Sequence, residues 1–137
     1  MGEVRTKALI TNAIDEALAR RGQLAPDKIR RYEADALVDT GAVRSVLPTH
    51  VVQQLGLDIR GQRVAEDADG RKENVDVTEA VVINIGGRDT LEEALVLGDE
   101  VLIGQTVIEK LDLLVDCANQ KLMPNPAHPD QPVTKVK

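Results

Sequence analysis

This chain must build its interior almost without aromatic side chains, because Tyr32 is the single aromatic residue and Phe and Trp are absent. The core therefore has to come from aliphatic residues, and Val and Ile are conspicuous between Val38 and Val115. β-Branched side chains are stiff at χ1 and suit a pleated surface better than a long helix. The clearest pattern lies at 75–85, where Val75, Val77, Val81, Ile83 and Ile85 share one face with a single exception, Glu79. Asn74, Asp76, Thr78 and Asn84 occupy the other face, so the segment reads as one half-buried strand or two sharing a bend. Upstream, Arg60–Glu66 supplies a partner strand. Asp69-Gly70 between them is a hairpin signal, since both residues tolerate positive φ.

Further strands are expected at Val4–Thr11, Ile29–Val38, Val43–Leu47 and Leu91–Leu97, and at Leu113–Val115 with a return through Lys121–Met123. Short helices are expected over Pro48–Leu55, ended by Gly56, and over Gln105–Leu111 after Gly104. Residues 12–20 also have helical composition, with Asn12 as the N-cap. Gly86-Gly87 reads as a turn, because no phosphate-loop Lys follows it. Four of the six prolines lie at Pro124, Pro126, Pro129 and Pro132. We read 1–123 as one domain and 124–137 as an extended tail, docked at first and frayed by Lys137.

Charge and composition exclude several classes. Seventeen Lys and Arg against 23 Asp and Glu leave a net charge of −6, the wrong sign for neutralising a nucleic-acid backbone or an anionic membrane. With one aromatic there is no stacking platform for single-stranded nucleic acid. No apolar run spans a bilayer, and Met1–Arg5 lacks the build of a signal peptide. The lone Cys117 cannot form an internal bridge. The expectation is a cytoplasmic protein that binds neither nucleic acid nor membrane and takes peptides or neutral molecules as partners, with no metal or cofactor expected.

Asp39-Thr40-Gly41-Ala42 follows the apolar run Ala36-Leu37-Val38. As a bare tripeptide it is a turn closed by glycine. A carboxylate at the end of a buried strand is nonetheless costly unless hydrogen-bonded. A second apolar strand runs into a glycine at Val101-Leu102-Ile103-Gly104-Gln105. With Ser45-Val46-Leu47 after the first loop and an Asp-Gly hairpin tip about 30 residues further on, the chain resembles the retropepsin-like aspartic proteases over roughly residues 29–116. The Pro-rich end looks more like the bacterial branch of that family.

The resemblance implies an all-β acid-protease barrel with one or two short helices, active as a two-fold homodimer in which each subunit gives one Asp-Thr-Gly loop. It assigns Asp39 to the catalytic dyad, Thr40 to a hydroxyl bond across the dimer axis, and Gly41 to a carbonyl facing substrate. It places Ala42, Asp69, Gly70, Leu102, Ile103 and Gly104 at the substrate, the hairpin tip serving as a flap. The implied activity is an aspartic endopeptidase; the alternative is a catalytically silent peptide-binding or dimerisation module, suggested by the charged tip Asp67, Asp69, Arg71, Lys72 and Glu73. Two departures stand out. Retroviral enzymes carry an acid pair where this chain has Val43 and Arg44, and an Arg where it has Gln105. The first acid and that Arg pair in the family, so one structural unit has been replaced.

The remaining residues read more plainly. A calcium loop from Asp67 fails because its twelfth position is Thr78 rather than Glu. His50 and His128 have no ligand-spaced partner and read as surface histidines. Ser45 has no neighbouring base and reads as a strand residue. Cys117 reads as an inert thiol, and Arg20-Arg21 and Arg30-Arg31 as solvated charge.

Overall fold

Asn12 ends the first strand and starts the first helix with the same side chain. Its Oδ1 accepts from the Ile14 and Asp15 amides at 3.0 Å each, while its Nδ2 donates to the Leu55 carbonyl at 2.8 Å. This buried amide thus caps a helix and ties it to a distant loop, as a buried polar group must. The computed structural model describes residues 2–136, so the expected fraying at Lys137 lies outside the described residues.

The elements run β1 (Val4–Asn12), α1 (Ala13–Arg20), a 3₁₀ turn (Pro26–Lys28), β2 (Arg31–Val38), β3 (Val46–Leu47), α2 (Thr49–Gln54), β4 (Ile59–Glu66) and β5 (Lys72–Thr78). They continue with β6 (Val81–Ile85), β7 (Arg88–Glu92), β8 (Leu95–Val96), β9 (Leu102–Ile103), α3 (Gln105–Lys110), β10 (Leu113–Asp116) and β11 (Lys121–Pro124). Nine strands form one sheet in the order β4-β5-β8-β3-β9-β2-β1-β6-β7, and β10–β11 form a separate hairpin. All three segments read as helical from their residues are short α-helices, one more than the upper number implied by the resemblance. Gly56 has φ +62 just past α2, the left-handed conformation that glycine takes at lowest cost.

The 75–85 pattern resolves into two strands. β5 pairs with β4 and β8, and β6 pairs with β1 and β7, so the chain changes neighbours at Glu79-Ala80. The Leu91–Leu97 expectation needs correction for the same reason: β7 begins earlier, at Arg88, and the chain breaks at Glu93-Ala94 before β8. The two corners are stitched together, with the Thr78 amide donating to the Ala94 carbonyl at 2.9 Å and the Ala94 amide donating to Thr78 Oγ1 at 3.1 Å. Glu79, the exception in the apolar face, sits at this corner and accepts from the Asp58 amide at 2.8 Å. The core is aliphatic throughout, with Ile10, Leu47, Leu55, Ile83, Ile103 and Leu111 among its largest buried side chains.

Three more expectations change. Val43–Leu47 shortens to β3, with residues 43–45 in the preceding bend. The tail is not extended from Pro124. Pro124 pairs with Leu113 in β11, and residues 125–128 form a turn held to Asp112, whose Oδ2 lies 2.6 Å from His128 Nδ1 and accepts from the Val133 amide at 3.1 Å. Buried Arg88 donates to the Leu111 and Asp112 carbonyls at 3.0 Å and also to the His128 carbonyl. His128 is thus a docking contact, not a free surface residue.

Arg30 is not merely solvated charge. Its Nε and Nη2 reach the two carboxylate oxygens of buried Asp15 at 2.8 and 3.0 Å, and its amide adds a 3.0 Å bond. The Arg30 guanidinium holds the Asp15 carboxyl below its ordinary 3.8. A lowered folded-state pKa stabilises above the unfolded pKa and is lost as pH falls through the folded one. Removing the carboxylate with Asp15→Ala is expected to cost about 2 kcal/mol at neutral pH, discounted for the half-exposed Arg30. Urea unfolding at neutral pH and well below pH 4 should show the gap between the two chains narrowing in acid.

Candidate active site

β2 delivers Asp39 to the surface at the point where the strand ends. Val38 is buried beside it, pairing with Ile103 of the parallel neighbour β9. The Asp39 amide continues this ladder, donating to the Ile103 carbonyl at 3.0 Å. The chain then turns back: the Ala42 amide donates to the Asp39 carbonyl at 3.1 Å, and the Gly41 amide donates to Asp39 Oδ1 at 2.9 Å. Among the described residues this is the one hydrogen bond to the Asp39 carboxylate. The side chain is thereby oriented by a backbone amide. Asp39 and Ala42 are half-buried, and Thr40 and Gly41 are exposed.

Leu102, Ile103 and Gly104 form the bed under this loop. Ile103 is fully buried in the core and Leu102 half-buried. Gly104 is buried where two backbones nearly touch: a Cβ there would lie 2.6 Å from the carbonyl carbon and oxygen of Arg44 and 2.9 Å from the Val43 oxygen. Only glycine permits that approach. It lets the start of α3 stitch the loop, with the Gln105 amide donating to the Ala42 carbonyl at 2.8 Å and the Thr106 amide to the Val43 carbonyl at 3.1 Å.

Ser45 corrects its reading as a strand residue. It is buried in the bend before β3, and its Oγ accepts from the Gly104 amide at 3.0 Å. Nothing in the local sequence revealed this partner, which lies 59 residues away. Arg44 takes the place of an acid yet is also held, donating to the Glu93 carbonyl at 2.9 Å.

Asp69 and Gly70 are not brought beside Ile103 or Gly104 by any hydrogen bond among the described residues; they form the tip of the β4–β5 hairpin. There the Gly70 amide donates to the Asp67 carbonyl at 2.9 Å, and Gly70 has φ +87. Asp69 pairs with Arg71 at 3.1 Å and Glu66 with Lys72 at 3.8 Å. Its bonds to Asp67 and to the Arg71 amide keep the Asp69 carboxyl low, while Asp69 pushes Asp67 up. A cavity of about 220 Å³ opens beside Thr40, lined by Val4, Val38, Val115, Cys117 and Gln120. Cys117 and His50 are exposed, the latter edge-on to Tyr32 with ring centroids 6.3 Å apart. Among the described residues no three His, Cys, Asp or Glu side chains gather as a metal site, and no helix is long and apolar enough to cross a membrane.

Residues 25–110 match the family described as "gag-polyprotein putative aspartyl protease". The fold is similar to the retroviral protease-like domain of Ddi1 from Leishmania major, at 15% identity and TM-score 0.56, covering 92% of this chain and 90% of that one. It is also similar to EIAV protease complexed with the inhibitor HBY-793, at 21% identity and TM-score 0.54, covering 79% of this chain and 86% of that one. These likenesses establish a retropepsin-like fold. No curated protein sequence matches the chain.

The close approach at Gly104 has a measurable consequence. Gly104→Ala should destabilise the chain by about 1–3 kcal/mol, since backbone rather than a pliable side chain must yield. The denaturation midpoint should fall accordingly, whereas Gly61→Ala, where a Cβ meets nothing within 4 Å, should leave it nearly unchanged.

Proposed function

This chain belongs to the gag-polyprotein aspartyl protease family, and from that premise we propose that it is an aspartic endopeptidase whose site is completed by a second copy of itself. The observation that carries this reading is the Asp39 loop, in which a carboxylate is oriented by one backbone amide and presented on an open face. The chain holds a single Asp-Thr-Gly triplet. A dyad therefore needs a partner.

Two carboxylates about 3 Å apart cannot both ionise, as is general for aspartic protease dyads, so they share a proton and titrate as a unit. In this reading Asp39 and its symmetry mate hold a water between them. One carboxylate takes the water's proton as oxygen attacks the scissile carbonyl. The other, protonated, donates to the developing oxyanion and later to the leaving amine. Thr40 braces the two loops across the axis, and the Gly41 carbonyl and Ala42 face an extended peptide. Asp69 and Gly70 close over that peptide as the flap tip, adding main-chain hydrogen bonds. Leu102 borders the peptide, whereas Ile103 and Gly104 serve from beneath by holding the loop. The single free thiol agrees with work in a reducing compartment such as the cytoplasm.

A second reading rests on the hairpin tip, which is highly charged and whose charges pair with one another. It makes the chain a peptide-binding or dimerisation module without turnover. Cleavage of a diverse peptide mixture from about pH 4 to 7, the span in which a proton-sharing dyad titrates, separates the two. Asp39→Ala is expected to lose cleavage by about 10³-fold or more while remaining folded. Specific activity should rise with protein concentration as dimer forms. Cuts that persist in Asp39→Ala would refute the peptidase, and a folded dimer that cuts nothing would leave the binding module.

A further inference from the structure

Val43 and Gln105 leave the catalytic loop without the ion pair that the resemblance assigns to their positions, yet the loop is not left unsupported. Val43 is 67% exposed, and the hydrogen bonds at this position are made by its carbonyl. That oxygen accepts from the Thr106 amide at 3.1 Å and lies 3.0 Å from Thr106 Oγ1. The same hydroxyl lies 2.7 Å from Glu92 Oε2. Glu92 is a buried carboxylate at the end of β7, and its other oxygen lies 3.4 Å from Lys110 Nζ, one turn further along α3.

A carboxylate is costly to bury unless it is paired or hydrogen-bonded, and both of Glu92's oxygens are engaged with α3. A threonine hydroxyl has one proton to give. Donating it to the close Glu92 oxygen fixes χ1 of Thr106 and leaves the Val43 carbonyl to the amide of the same residue. The neighbouring Glu93 extends the grip to the next loop residue, accepting from Arg44 through its carbonyl at 2.9 Å.

We propose that Glu92 and Thr106 are positioning residues for Asp39: Glu92 locks Thr106, and Thr106 holds the Val43 carbonyl, so that the loop from Asp39 to Arg44 stays seated on α3. The brace removed by Val43 and Gln105 is thus rebuilt from a different strand and the next helical residue. This inference rests on Asp39 being catalytic, but the brace has a readout that does not.

The experiment compares Thr106→Val, Thr106→Ser and Glu92→Gln with the parent chain by residue-resolved amide hydrogen exchange and by peptide cleavage. Thr106→Val keeps shape and loses the hydroxyl. It should speed exchange of the Ala42 and Gln105 amides about tenfold while the β1 and β2 amides stay protected, and lower kcat about tenfold with KM little changed. Thr106→Ser should restore both, and Glu92→Gln should fall between. Unchanged loop exchange and kcat in Thr106→Val would overturn the proposal, and so would faster exchange spread evenly over the core. If the parent chain cuts no peptide, the peptidase reading falls, and loop exchange alone decides the brace.

Discussion

The approach of two backbones at Gly104 is the contact on which the candidate site depends. β9 lies parallel to β2, and the chain leaving β9 runs directly against the loop leaving β2. With no Cβ in the way, the amides of residues 104, 105 and 106 can all reach that loop, through Ser45 Oγ, the Ala42 carbonyl and the Val43 carbonyl. Short elements make this possible. β9 has two residues and α3 six, and neither would hold its place alone. They are held by the loop as much as the loop by them.

The curl of the sheet brings the supporting residues into range. At Thr78–Ala80 the chain passes from β5, on the β4 and β8 side of the sheet, to β6 beside β1, and at Glu93-Ala94 it returns from β7 to β8, between β5 and β3. The second corner places Glu92 and Glu93 against α3 and the Asp39 loop. A flat continuation of Leu91–Leu97 as one strand would carry both acids elsewhere. The tail shows the same economy: Arg88, buried at the start of β7, holds the α3 end and the tail turn by their carbonyls, and the Asp112 carboxylate, kept low chiefly by its bond from Asn125, also accepts from the Val133 amide.

Local signals carried far into this structure. The Asn12 cap, the Gly56 and Gly86-Gly87 turns, the Asp69-Gly70 hairpin and the Asp39 loop each act over a few residues, where side-chain chemistry alone selects the backbone conformation. The apolar run into Gly104 was also legible, although its purpose was not. A sequence displays the glycine but not the Arg44 carbonyl 60 positions earlier that requires it. Ser45, Arg30, Glu92 and His128 were misread or passed over for one reason: their partners lie 14 to 59 residues away, and polar residues on their own resemble ordinary surface.

The aliphatic composition, the strand periods and the Asp39-Thr40-Gly41 turn are properties of neighbours along the chain, so the sequence by itself determined a strand-rich fold and the carboxylate of its candidate site. The tertiary structure decided where strands break, which acids are buried, and what holds the Asp39 loop in place. Those depend on which distant backbones come close enough to exclude water, and a hydrogen bond or an ion pair acquires its energetic weight only there.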